Sequence, residues 1–316
     1  MKVKIIKNRS DIGAGTRGSG MGIDAIEIAA INKGNDFFNR FPSLDVATHN
    51  ESVYDKVKNS FAKRIGYVLE QCTRVSQAVK EVMKDDFFPL VLSGDHSSAL
   101  GTISGVKAAH PHKRLGVIWI DAHADLHSPY SSPSGNIHGM PLAAATGEDN
   151  KDYDNNKVTV DTKTLWTKMK AIGIDLQKVK PQDIIYFGVR DTEPPEDHLI
   201  STLGIKNYMV HEIRHRGLET CVNEAIESLN DCEIVYISFD VDSLDCDLIS
   251  KGTGTPVSRG FDQYEVIDII KMFFATGKVC CWEICEVNPL LDNRGNKMAE
   301  TAFEVIDTIL KNSRIS

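Results

Sequence analysis

Three short apolar runs in this 316-residue chain end directly in clusters of aspartate and histidine, and that repetition restricts the fold more than any other feature. Residues 88–92 lead into Gly94-Asp95-His96, residues 115–120 into Asp121-Ala-His123-Ala-Asp125, and residues 234–239 into Asp240-Val-Asp242. Apolar runs of this length, separated by helix-like segments, read as buried strands of a parallel sheet. In an open parallel sheet the carboxyl ends of the strands share one edge, so groups far apart in sequence meet there. In an extended segment, positions i, i+2 and i+4 point the same way, which turns Asp121, His123 and Asp125 toward one centre. Asp240 and Asp242 form a second pair of the same kind.

The rest of the chain fits that frame. A strand over 3–7 precedes a glycine-rich loop at 13–22 and a helix over 24–32. A long amphipathic helix is predicted over 53–84, with Val57, Phe61, Ile65, Val68, Leu69, Cys72, Val75 and Val79 at helical spacing. A helix follows Ser97, a polar loop spans 127–138, and the polar stretch 148–164 reads as a surface insertion. Further strands are predicted at 184–189, 207–210 and 279–284, with helices near 217–229, 262–275 and 298–311. The alternation predicts an α/β chain, a three-layer α/β/α sandwich around a mostly parallel sheet, with residues 1–316 forming one domain. Gly13-Ala-Gly15-Thr-Arg-Gly18 matches a dinucleotide fingerprint, but the run before it is polar and no second strand carries the expected acid, so a flexible loop explains it better.

Composition narrows the function classes. The chain is 41% apolar and 25% charged, as in ordinary globular proteins. It has no apolar stretch of membrane-spanning length and no apolar core near Met1 of the signal-peptide kind, so a cytoplasmic location is expected. Seven cysteines without CxxC pairs suit reduced thiols rather than disulfides or a thiolate metal site. A net charge of −8 argues against nucleic acid and anionic membranes as partners and favours a cationic small molecule.

The clusters supply His96, Asp121, His123, Asp125, Asp240 and Asp242 as candidate metal ligands. Six donors exceed what one tetrahedral zinc needs and suffice for two ions sharing bridging carboxylates. Two imidazoles and four carboxylates, without thiolate, make a hard donor set that favours manganese, so two Mn²⁺ per chain are expected. Such a pair of ions lowers the pKa of a bridging water and makes hydroxide available at neutral pH, which points to hydrolysis. One cluster alone would read as turn or capping chemistry; three at strand ends, where unscreened carboxylates repel one another, do not.

Ser93-Gly-Asp-His-Ser97, Asp121-Ala-His-Ala-Asp125, Ser134-Gly-Asn-Ile-His-Gly139, Ser238-Phe-Asp-Val-Asp242, Gly254-Thr-Pro256 and Glu286-Val-Asn-Pro289 occur in that order and resemble the motifs of the ureohydrolase family, most closely its arginase branch. The resemblance spans nearly the whole chain. It implies an arginase-type fold, a dinuclear manganese centre on the six residues above, and hydrolysis of the guanidinium group of L-arginine to L-ornithine and urea. It also implies that Asp125 orients the attacking hydroxide, that His138 shuttles a proton to the leaving amine, and that Glu286 pairs with the substrate guanidinium. Ser134, Asn136, Glu193 and Thr255 match positions near the amino-acid end of the substrate. Assembly as a trimer or hexamer is likewise implied.

Three departures concern the substrate. His127 stands where arginases usually have asparagine, Glu193 is one methylene longer than the usual aspartate, and the loop after Asp242 carries Cys246 in place of proline and one extra residue. A second reading therefore keeps the fold and metal site but takes agmatine, guanidinobutyrate or formiminoglutamate. A third is a non-catalytic regulatory relative. Glu283 is a candidate partner behind the ligands.

Overall fold

The computed structural model describes residues 2–175 and 177–312. Eight strands form one sheet: β1 Lys2–Asn8, β2 Ser43–Asp45, β3 Phe87–Ser93, β4 Leu115–Ile120, β5 Ile184–Phe187, β6 Lys206–Tyr208, β7 Ile234–Asp240 and β8 Val279–Cys285. Their order is β2-β1-β3-β8-β7-β4-β5-β6, and every pairing is parallel. Parallel pairing demands crossover connections, which helices supply. These are α1 Gly22–Asn32, α2 Phe37–Arg40, α3 Ile65–Lys84, α4 Ala99–Ala109, α5 Pro141–Thr146, α6 Val160–Lys170, α7 Pro194–Leu203, α8 Val210–Arg216, α9 Leu218–Ser228, α10 Gln263–Ala275 and α11 Lys297–Asn312.

Strand side chains alternate between two cores, as the pleat requires. Leu90, Leu92, Ile118, Ile120, Ile237 and Phe239 pack against α1, α9, α10 and α11, whereas Val91, Val117, Trp119 and Tyr236 pack against α3, α4, α5 and α6. The three-layer sandwich expected from the alternation is present, with a sheet that is parallel throughout the described residues. Gly101 and Gly105 let α4 lie against α3, because a Cβ at either would press on the backbone oxygens of Cys72 and Ser76. No helix among the described residues is long and apolar enough to cross a membrane.

Several boundaries differ from the sequence reading. The predicted helix over 53–84 starts only at Ile65. Arg64 has a left-handed backbone (φ 56°), Asp55 is extended, and residues 50–54 form a short 3-10 turn. The stripe that defines α3 is Ile65, Val68, Cys72, Val75, Val79 and Val82, while Val57 is 38% exposed. The supposed insertion at 148–164 ends in helix: Thr159 Oγ1 accepts the Thr162 N–H and opens α6. Val210, placed in a strand by its apolar neighbours, begins α8, and β2, α5 and α7 were not foreseen. In the glycine-rich loop the N–H groups of Gly13, Gly18 and Gly20 donate to Asp95 and Asp11.

Candidate metal centre and substrate cavity

The carboxyl ends of the four central strands, β3, β8, β7 and β4, meet at one point. Beyond β3 the chain turns at Gly94, whose N–H donates to Asn8 O and whose carbonyl accepts the Glu286 N–H. A side chain at Gly94 would run into the Ser10 carbonyl. Gly94→Ala is therefore expected to cost about 1–3 kcal/mol of stability, read as a lower denaturant midpoint at unchanged slope. The turn delivers Asp95, which caps the next turn through Ser97 N–H, and His96. His96 is 1% exposed and stacks on Trp119 at 4.1 Å between ring centroids.

The six candidate ligands converge. His96 Nδ1 lies 3.1 Å from Asp121 Oδ2, 3.1 Å from Asp125 Oδ2 and 3.1 Å from Asp240 Oδ2. Around the second histidine, His123 Nδ1 lies 3.0 Å from Asp242 Oδ2 and 3.5 Å from Asp121 Oδ1. Asp121 thus faces both histidines, one oxygen to each. These separations fit a cation better than they fit hydrogen bonds. Adjacent donors around an octahedral ion with bonds of about 2.1 Å stand about 3.0 Å apart. His96 Nδ1 and Asp121 Oδ2, both fully enclosed, make no hydrogen bond with any group present, an arrangement that is costly unless an ion sits between them. Cys285 Sγ is 3.6 Å from Asp240 Oδ2, but burial pushes its thiol well above the usual range, so it offers a weak ligand beside a hard set.

The electrostatics carry the same signature. Burial, reinforced by neighbouring carboxylates, raises Asp240 well above the usual range and Asp125 to about 6, and it raises Asp242 as well. Asp121 is drawn the other way: burial opposes its ionisation, yet the two histidines that face it, His123 and His96, lower it. Burial would lower both histidines, but the surrounding acids raise them well above the ordinary imidazole value. Without an ion each imidazole therefore keeps its proton to higher pH than a free imidazole does, and an entering cation competes with that proton. Metal affinity is expected to fall as pH falls, by roughly a factor of ten per unit for each displaced proton. Competition with a chelator across the neutral range measures this, and a pH-independent affinity would contradict it.

Above the centre lies a cavity of about 250 Å³ lined by His96, His123, Asp125, Asp240, Asp242, His127, Ser134, Asn136, His138, Glu193, Thr255 and Glu286. Every residue given a metal, catalytic or substrate role from the sequence except Asp121 borders this one space; Asp121 and Glu283, the candidate partner behind the ligands, are fully buried beneath it. It is smaller than the ~300–1,000 Å³ of drug-sized sites and suits a ligand of amino-acid size. His138 Nδ1 is 3.2 Å from Glu286 Oε1, which also accepts the His96 N–H at 2.9 Å. Burial opposes charge on His138, but its hydrogen bond with Glu286 lifts it to about 9. Asp125 (φ 51°) and Glu286 (φ 65°) are both held in left-handed backbone, a strain of about 1–3 kcal/mol each of the kind found at functional sites.

At the mouth, His127 Nε2 lies 3.2 Å from Glu193 Oε2 and 3.5 Å from Glu196 Oε2. Proximity alone would make an ion pair, but burial holds His127 down at about 4 and lifts Glu196 to about 8. Burial is the stronger influence here, and the His127–Glu196 contact is between neutral groups. Thr255 Oγ1 donates to Asp242 Oδ2 at 3.0 Å, Asn136 Oδ1 accepts from Lys63 at 3.3 Å, and Ser134 Oγ accepts the Asn136 N–H at 3.2 Å.

Sequence reasoning missed Glu196, Asp191 and Ser132, which line the same cavity. Glu196 had a readable signal: Glu193-Pro-Pro-Glu196 is a capping box that opens α7 with proline in its first turn. The Arg190 guanidinium donates to the carbonyls of Gly188, Asp242, Leu244, Val257 and Ser258, binding the loop that carries Asp242 and Thr255 to the end of β5.

Comparison with known proteins places this geometry. A profile of the Arginase family matches residues 2–311. An arginase of Bacillus subtilis is 34% identical over 311 residues, spanning 98% of this chain and 97% of that one. An arginase of Brevibacillus brevis is 36% identical, spanning 95% and 94%. The crystal structure of an arginase from Bacillus cereus superposes with a TM-score of 0.84 at 30% identity, over 99% of this chain and 100% of that one.

Proposed function

The chain belongs to the arginase family and is a ureohydrolase, and from that premise we propose that it hydrolyses L-arginine to L-ornithine and urea at a centre of two Mn²⁺ ions. The observation that carries this reading is the unpartnered His96 Nδ1 facing three carboxylate oxygens at 3.1 Å, an arrangement built for a cation. His96, Asp121, His123, Asp125, Asp240 and Asp242 would hold the ions. Bound divalent ions supply Lewis acidity, which makes water nucleophilic near neutral pH.

The chain's own residues do the rest. Glu286, 2% exposed, meets the guanidinium, a planar fork matched to a carboxylate. That contact sets the guanidinium carbon over the cluster. Asp125 accepts a hydrogen bond from the attacking water and turns its lone pair toward that carbon. As the bond from the carbon to the chain nitrogen breaks, the departing amine needs a proton. His138 holds one through neutral pH, and Nε2, the nitrogen not engaged by Glu286, is positioned to deliver it. His127, Ser134, Asn136, Glu193 and Thr255 line the far end of the cavity, where the α-amino and α-carboxylate groups would lie. Seven free thiols suit a reducing, cytoplasmic setting.

The reading over agmatine, guanidinobutyrate or formiminoglutamate is supported by relatives that are named arginases over nearly their full length. Agmatine lacks the α-carboxylate, so kcat/KM for arginine is expected to exceed that for agmatine by roughly 10- to 100-fold, the worth of one or two charge-assisted hydrogen bonds. Faster turnover of any of the other three would replace arginine as the substrate.

A further inference from the structure

The donors of the centre fall into two groups that are held by different means. His96, Asp121 and Asp125 stand close enough to share one ion, and Asp121, His123 and Asp242 to share another. On the His96 side the sheet does the holding: Asp240 is the last residue of β7 and pairs in register with Cys285, and the His96 ring stacks on Trp119. His123 and Asp242 instead lie beyond the ends of β4 and β7, outside the strand ladder. Asp242 belongs to a long loop that runs on through Thr255 before α10 begins at Gln263.

Arg190 stands where these loose segments meet. Through its main chain it holds the end of β4: the carbonyl of Ala122, between Asp121 and His123, accepts the Arg190 N–H at 2.8 Å and the Asp191 N–H at 3.0 Å. The Ala122 N–H in turn donates to Asp242 Oδ1 at 3.2 Å. Through its side chain Arg190 holds the loop. Nε donates to Ser258 O at 3.0 Å, Nη1 to Gly188 O at 3.0 Å, and Nη2 to Asp242 O at 3.1 Å, Leu244 O at 3.4 Å and Val257 O at 2.9 Å. Every one of these acceptors is a main-chain carbonyl, and they come from three separate stretches of chain. A rigid planar fork of N–H groups can serve all three at once, which a single ammonium cannot. The same loop presents Thr255 Oγ1, which donates to Asp242 Oδ2 at 3.0 Å, so fixing the loop fixes the carboxylate twice.

We propose that Arg190 is the positioning residue of the outer donor group: its fork sets Asp242 against His123, so the ion shared by Asp121, His123 and Asp242 depends on it and the ion on the His96 side does not. The proposal rests on the metal-dependent reading above and assigns the planar shape of the side chain, not its charge alone, as the working feature. Groups that orient metal ligands typically govern about 10- to 100-fold in affinity.

The test uses the full-length protein and Mn²⁺ alone, titrated calorimetrically into the metal-free forms of the unaltered protein, Arg190→Lys and Arg190→Met. In both variants one of the two manganese sites is expected to weaken by about 10- to 100-fold while the other stays within a fewfold. Metal-free Arg190→Lys should still melt cooperatively within about 5 °C of the unaltered protein, so it decides the matter even if Arg190→Met fails to fold. With just enough Mn²⁺ to fill both sites of the unaltered protein, electron paramagnetic resonance should show a coupled pair of ions there and mainly isolated ions in Arg190→Lys. An unchanged isotherm in Arg190→Lys would overturn the proposal, because charge without the fork would then suffice. Equal weakening of both sites together with early melting would also overturn it, as a merely structural role. If the unaltered protein binds two Mn²⁺ but releases no urea from arginine, the functional reading fails while the role of Arg190 is still decided by the titrations. If the unaltered protein binds fewer than two ions, the metal reading and this proposal fall together.

Discussion

Asp121→Asn is expected to lower turnover by roughly 10³-fold or more, about 4 kcal/mol of transition-state stabilisation, and to reduce bound metal from two ions per chain to one or fewer. Asp121 is the one carboxylate that faces both histidines, through Oδ2 to His96 Nδ1 and Oδ1 to His123 Nδ1. It also accepts the His123 N–H at 2.7 Å, so it shapes the backbone that presents its neighbour. Asparagine keeps that size but replaces one acceptor oxygen with an NH₂ group aimed at a ligating nitrogen, and it removes the charge that offsets two dications. Metal analysis of the dialysed variant beside a urea assay checks both halves. Full activity with two ions retained would show that Asp121 is not shared.

His138→Asn should separate chemistry from metal binding. His138 contacts Glu286 rather than the ligand cluster, so two ions should remain while kcat falls by about 10²- to 10⁴-fold, the usual worth of a positioned general acid. KM should move much less. The sign of the pH effect follows from the raised value. The hydrogen bond to Glu286 lifts His138 to about 9, so its acidic form is present below that pH and is lost as pH rises through it. Activity of the unaltered protein should therefore decline on the alkaline side near pH 9, and the variant should lack that limb. An identical alkaline limb in the variant would assign it to another group.

The two effects differ in kind because the site has two layers. The candidate metal ligands sit at or just beyond strand ends, where the sheet holds the backbone; the proposed proton donor and substrate contacts sit on loops. That division also explains what could be read from the sequence. Asp121, His123, Asp125, Asp240 and Asp242 were legible because charge directly after an apolar run has few structural explanations. The mostly parallel architecture was legible because the runs at 88–92, 115–120 and 234–239 are apolar on both faces.

Other features carried weaker signals. The stripe Ile65 to Val79 continues backward in sequence through Phe61 and Val57 at the same spacing, yet the helix stops where Arg64 turns left-handed; local periodicity cannot see that tertiary break. The motif Gly13 to Gly18 matched a dinucleotide fingerprint that its flanking sequence already argued against; in the fold its Gly13 and Gly18 amides donate to Asp95 and Asp11, pairings that sequence spacing does not show. Tyr236 hid inside a strand otherwise read as apolar, and Glu283 was noticed only as a candidate partner behind the ligands. Their alternation with Ile237 and Ile284 was visible, but only the register of β7 against β8 brings them together. His127 and Glu193 stood out as departures from the family pattern, and the structure adds that they face one another at 3.2 Å.

The most direct test of the whole account is a manganese titration of the metal-stripped protein with L-arginine as substrate, following urea and ornithine together. The account predicts no product without metal, activity rising to a plateau at two Mn²⁺ per chain, and urea and ornithine in equal amounts. A plateau at one ion, or a fully loaded protein that yields neither product from arginine, would contradict it.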